Sequence, residues 1–131
     1  MRKSGSFVLQ SVIILIILGA ASQLSFAQIP EVTKVEPSGW WAHHSINPVR
    51  VLIHGQNLGG ASVKTPASGL IAGPAKVNTT GTYVFVDVRI TPQAKPGICN
   101  LRITTRGGSV DAPFEVLSPL PRAGRFQGFT L

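Results

Sequence analysis

Cysteine occurs once in the 131 residues, at position 99, which excludes an internal disulfide framework and a cysteine-built zinc site. Beside inward Leu101 it reads as a buried small hydrophobe. Acids are scarce as well, five Asp and Glu against twelve Lys and Arg. Glycosidase or protease chemistry needs a positioned carboxylate pair, or a nucleophile with its base. Here Glu31 and Glu36 flank one segment and Asp111 and Glu115 another, while Asp87 stands beside Arg89 and reads as its ion partner. No two acids share a glycine-framed loop, so no catalytic residue is assigned. No G-x-G-x-x-G or Walker A run is present, and no cofactor is expected. His43 and His44 are adjacent, would face opposite ways in a strand and have no spaced third ligand, so no metal is expected. The basic residues are scattered, with no block of like charge, and nucleic-acid binding has no motif behind it.

Long apolar runs are also missing. The one apolar stretch, Val12–Leu18, is bracketed by Gln10, Ser11, Ser22 and Gln23 and is shorter than the ~20 residues a membrane span needs. Arg2 and Lys3 precede it, and Ser25-Phe26-Ala27 puts small residues at the −3 and −1 positions of a cleavage site. Residues 1–27 therefore read as a secretory signal peptide cut after Ala27. A secreted or periplasmic domain with no membrane attachment follows. Removing Arg2 and Lys3 lowers the formal charge from +7 to +5, which reads as a solubilising surface.

What remains is rich in turn formers. All ten prolines and twelve of the fourteen glycines lie after residue 27. They punctuate short apolar runs, and no stretch sustains a 3.6-residue period. This predicts an all-β, immunoglobulin-like (early-set) sandwich of about seven strands over residues 28–117. The strands fall at Glu31–Glu36, Val49–His54, Ser62–Thr65, within Leu70–Val77, Tyr83–Ile90, Ile98–Thr104 and Pro113–Leu117. Val84, Val86, Val88 and Ile90 form one face of the clearest strand. His54-Gly55-Gln56-Asn57 ends the second strand, and the paired glycines of Arg106-Gly107-Gly108-Ser109 suit a hairpin turn. Asn78-Thr79-Thr80 matches a glycosylation sequon. Residues 118–131 have linker composition and end in Phe126 and Phe129, aromatics without a local partner.

Aromatics supply the candidate site. Trp40 and Trp41 lie in a loop between the first two strands, as a sugar platform, an anchor for a partner domain, or plugs for the sandwich end. Tyr83 and Phe85 put an aromatic patch on an outward sheet face that should be polar.

Pro30–Pro37, Gly39-Trp40-Trp41-Ala42, Asn47-Pro48, Val51–Leu58, Tyr83–Val88, Ala94-Lys95-Pro96-Gly97 and Phe114-Glu115-Val116 follow one another in a familiar order. Together they resemble the N-terminal domain of cyclomaltodextrinases and neopullulanase-like enzymes of the α-amylase superfamily, over about residues 30–129. That resemblance implies a β-sandwich ahead of a catalytic (β/α)₈ barrel, involved in dimerisation and in contacting the α-glucan site. Trp40 and Trp41 fall at the double tryptophan, assigned to the surface meeting sugar or barrel. Arg122–Phe129 is similar to the bridge into the barrel. The barrel and its carboxylates have no counterpart here, so the chain reads as a truncated gene, a split reading frame or a freestanding accessory module. The expected function is a non-catalytic accessory domain of an exported α-glucan-degrading system, with an α-glucan or an α-amylase-type catalytic domain as partner and a homodimer possible. Because IPT/TIG immunoglobulin-like modules share the G-x-N-L and A-K-P-G pieces, the alternative is a protein–protein interaction module.

Overall fold

The computed structural model describes residues 26–121, so the proposed leader up to Ser25 and the aromatic tail with Phe126 and Phe129 lie outside the described residues. Nine strands run in order: β1 Glu31–Glu36, β2 Gly39–Trp41, β3 Val49–Gln56, β4 Ser62–Lys64, β5 Leu70–Ala72, β6 Lys76–Val77, β7 Tyr83–Ile90, β8 Gly97–Thr105 and β9 Gly108–Leu117. They form two sheets. One has the order β1-β3-β7-β5, with β6 also on β7; the other has the order β2-β9-β8-β4. No helix occurs among the described residues. This is the all-β sandwich that strand alternation predicts.

Side chains alternate because successive residues of a strand face opposite sides. In β7, Val84, Val86, Val88 and Ile90 are buried while Tyr83, Phe85 and Arg89 are exposed. Val51 and Ile53 from β3, Leu101 and Ile103 from β8, and Phe114 and Val116 from β9 meet them between the sheets. No polar or charged residue is buried in this core.

The structure corrects four sequence expectations. Strand Leu70–Val77 is two strands, because Gly73-Pro74 interrupts it. The Gly73 amide still bonds the Asp87 carbonyl at 2.8 Å, but proline has no amide to continue the ladder. Trp40 and Trp41 lie in β2 rather than in a loop; a three-residue strand is too short to show alternation. Gly55 belongs to β3 and not to the turn after it. The last hairpin closes through Arg106-Gly107, with Thr105 paired to Gly108. Its positive φ falls on Gly108, at 140°, so β9 begins five residues before Pro113.

β1 and β2 belong to different sheets. After Glu36 the chain crosses at Pro37-Ser38 and pairs parallel with β9, Gly39 with Glu115 and Trp41 with Leu117. The tryptophans are thereby placed at the end of the sandwich where β9 finishes.

Candidate docking site

β2 leads into the loop 42–48, which returns to β3 at the same end. Asn47 fastens this loop to β7. Its Nδ2 donates to the Ile90 carbonyl at 2.8 Å, and the Ile90 amide donates to its Oδ1 at 3.0 Å. The side chain thus extends the ladder beyond the Val49–Val88 pair. Within the loop, Trp40 Nε1 donates to the Ile46 carbonyl at 2.9 Å, and the Ile46 amide donates to His44 Nδ1 at 3.0 Å. His44 Nδ1 is therefore an acceptor, and the ring proton sits on Nε2.

The His44 ring stacks on Trp41 with centroids 5.8 Å apart and meets Trp40 edge-on at 5.1 Å. The two tryptophans meet edge-on at 5.3 Å. All three rings are partly buried, and Trp40 packs against the core. At the same end stand apolar side chains that no described residue covers. Ile46 is 58% exposed, Ile98 at the start of β8 is 75% exposed, and Leu120 beyond β9 is 53% exposed. Register brings them to one end: Gly97 pairs with Val116 and Ile98 with Glu115, beside the β2–β9 pair. Prolines 48, 92, 96 and 119 flank the strands that end here.

Tyr83 and Phe85 occupy a different place. They lie on the outer face of the β1-β3-β7-β5 sheet, 38% and 43% exposed. Tyr83 leans on His54, with centroids 4.5 Å apart, and Thr33 Oγ1 hydrogen-bonds His54 Nδ1 at 3.0 Å. Phe85 borders a shallow depression of 130 Å³ with Arg50, Pro74, Lys76 and Asp87. Val49, which follows the tryptophan loop, pairs with Val88, whereas Tyr83 pairs with His54 at the far end of β3. Five residues of strand separate Tyr83 from Val88, about 17 Å at ~3.4 Å per residue. The four aromatic candidates therefore form two patches.

Asp87 does not pair with Arg89. It takes a two-pronged contact from Arg50 across the β3–β7 pair, at 2.9 and 3.2 Å. Asp111 is held the same way by Arg102, at 2.8 and 3.0 Å, and Lys34 pairs with Glu36. The hydrogen bonds from Arg50 and Arg102 hold both aspartate carboxyls below the usual range. A folded-state pKa below the unfolded one gives stability that is present above the unfolded value and lost as pH falls through the folded one. Carboxyl NMR titration should find Asp87 and Asp111 turning over below an unfolded-peptide aspartate, and Arg50→Gln should move Asp87 alone back toward the ordinary value. Both pairs are solvent-exposed, and their weight in stability is small.

Other sequence candidates take structural roles. Cys99 is only partly buried, opposite Phe114. His43 is exposed in the turn after β2, with φ 57°. The sequon asparagine is occupied by its own turn: Asn78 Oδ1 accepts the Thr82 and Tyr83 amides at 2.9 Å each, and Nδ2 donates to the Thr80 and Thr82 hydroxyls. Sequence reasoning weighed His44 only as a metal ligand and missed Ile46, Ile98 and Leu120. Loop hydrogen bonds bring His44 and Ile46 to the tryptophans, and strand register brings Ile98 to the same end, neither of which the sequence displays.

The cyclomaltodextrinase N-terminal family model matches residues 34–118, from within β1 to just beyond β9. The chain belongs to the cyclomaltodextrinase N-terminal domain family. No curated protein matches the chain. A cyclomaltodextrinase N-terminal domain is a non-catalytic accessory domain of α-amylase-family enzymes. The 131 residues have no room for a catalytic barrel, which takes ~250 residues. The match contains both tryptophans, the loop that orders them and the whole β2–β9 pair, so the tryptophan end lies inside the family domain.

Proposed function

We propose that this domain serves an exported α-glucan-degrading system by docking an α-amylase-type catalytic barrel against its tryptophan end. The observation that carries the reading is the set of exposed apolar side chains, Ile46, Ile98 and Leu120, at the end of the sandwich that holds the Trp40–Trp41–His44 cluster. Apolar patches on a folded surface mark sites where something docks. Aromatic anchors at the centre of a patch dominate such contacts. The prolines that frame this end limit the backbone freedom lost on association. A flat sugar platform needs a free ring face and free polar edges. Here His44 stacks on Trp41, and the Trp40 N–H is spent on Ile46.

The test is titration calorimetry of the exported chain against a purified cyclomaltodextrinase barrel lacking its own N-terminal domain, and separately against maltoheptaose. The wild type should bind the barrel. Ile98→Asp should abolish binding with little loss of fold, and Trp41→Ala should weaken it at least tenfold. Phe85→Ala, on the other patch, should leave it unchanged. Maltoheptaose binding lost in Trp41→Ala would replace docking by direct glucan contact. Absence of both interactions would favour the IPT/TIG-like interaction module, and self-association lost in Ile98→Asp would make this end a homodimer face.

A further inference from the structure

We propose that Gln28 is the amino terminus of the exported domain and closes into a pyroglutamyl ring. The proposal rests on the reading of residues 1–27 as a cleaved leader. Two sets of observations meet at this residue. Ser25-Phe26-Ala27 places the cut immediately before it. The fold also holds the chain at this residue. The Gln28 carbonyl lies against the Arg106-Gly107 turn so closely that a Cβ at Gly107 would overlap it. The Ile29 carbonyl accepts Asn57 Nδ2 at 3.2 Å, Pro30 is buried, and Glu31 opens β1 opposite Gln56. The Ala27 carbonyl also approaches this turn, 3.2 Å from the same Cβ position, although Phe26 and Ala27 are exposed. Phe26 stands 86% exposed, a large apolar ring left in water.

The chemistry follows from the position. Gln28 is exposed, and its side chain makes no hydrogen bond to another described residue. Once cleavage frees its α-amine, that nitrogen can attack the Cδ of its own side-chain amide. The N–Cδ bond forms and the Cδ–Nε2 bond breaks. A proton passes from the amine to the departing nitrogen, which leaves as ammonia. No oxidant or reductant takes part. The fold fixes the carbonyl side of Gln28, and the residue as a whole is exposed, so ring closure breaks no hydrogen bond of its side chain to another described residue. It also removes a positive charge beside the Arg106 turn, in a chain with an excess of bases.

Intact-mass measurement of the exported protein after incubation at neutral pH tests the proposal, with aminopeptidase digestion in parallel. The expected product has the mass of residues 28–131 less one ammonia and resists the aminopeptidase. Gln28→Ser should be cut at the same bond and give the full calculated mass with a digestible amine. Wild type that keeps the full mass of residues 28–131 would overturn ring closure and leave the leader reading standing. A retained leader, or a different first residue, would overturn both.

Discussion

Alanine at Gly55 should cost the domain about 3 kcal/mol or more of stability. Gly55 is buried in β3 opposite Val32, beside the register irregularity between Val32 and Lys34. Its φ is not in the left-handed region, so conformational freedom is not the reason for glycine here. Space is the reason. A Cβ at this position would overlap the Glu31 carbonyl oxygen and sit 3.1 Å from the Val32 Cα. These are backbone atoms, with no rotamer to give way. The substitution must lift the start of β1 from β3 and expose the core edge that Val32 and Val35 cover. Urea denaturation measures the loss, and hydrogen exchange locates it. Amides of β1 should lose protection ahead of those of β8. A change below ~1 kcal/mol would mean that β1 shifts freely and that the tight approach is not needed.

Phe114→Ala should cost about 3–5 kcal/mol, the range for truncating a buried aromatic. Phe114 heads the fully buried side chains by size, at 0% exposure. It lies mid-β9, opposite Cys99 on β8 and facing the valines of β3 and β7. Truncation leaves a cavity between two sheets whose ladders keep them from collapsing into it. Domains of this kind have ~5–15 kcal/mol in total, so the variant approaches the threshold of folding. Phe114→Leu keeps most of the volume and should cost less than half as much. Because β9 also carries β2, the loss should reach the tryptophans. Intrinsic fluorescence should shift to the red in Phe114→Ala below the melting midpoint and remain unchanged in Phe114→Leu.

The parts of the fold written as local periodicity were legible in the sequence. Tyr83–Ile90 shows its inward face in four β-branched residues, and β7 has those bounds in the structure. Glu31–Glu36 likewise matches β1. What escaped is what depends on distant partners. β2 is a strand only because β9, more than seventy residues later, offers it an edge. Asn47 reads as a loop residue until Ile90 is found within its reach. Asp87 has Arg89 as its neighbour in sequence, but the pleat places Arg50 directly across the ladder, and the closer geometry wins. The candidate site divides in the same way. The aromatic residues announce themselves by type. That they form two patches, and that exposed apolar side chains share the end of one of them, follows from which strand ends meet.

The β2–β9 pair has a mechanical consequence. The strands run parallel, and the chain enters β2 from the amino-terminal side and leaves β9 toward the carboxyl terminus. A pull between the two ends therefore drags the strands past each other along their axes. The Glu115 amide to Ser38 carbonyl bond and the Ala42 amide to Leu117 carbonyl bond, both 2.9 Å long, lie across that direction. They are strained together in shear instead of opening one after another like a zip. Once β1 has given way from β3, tension arriving through a tethered neighbour thus meets its resistance at Gly39–Trp41.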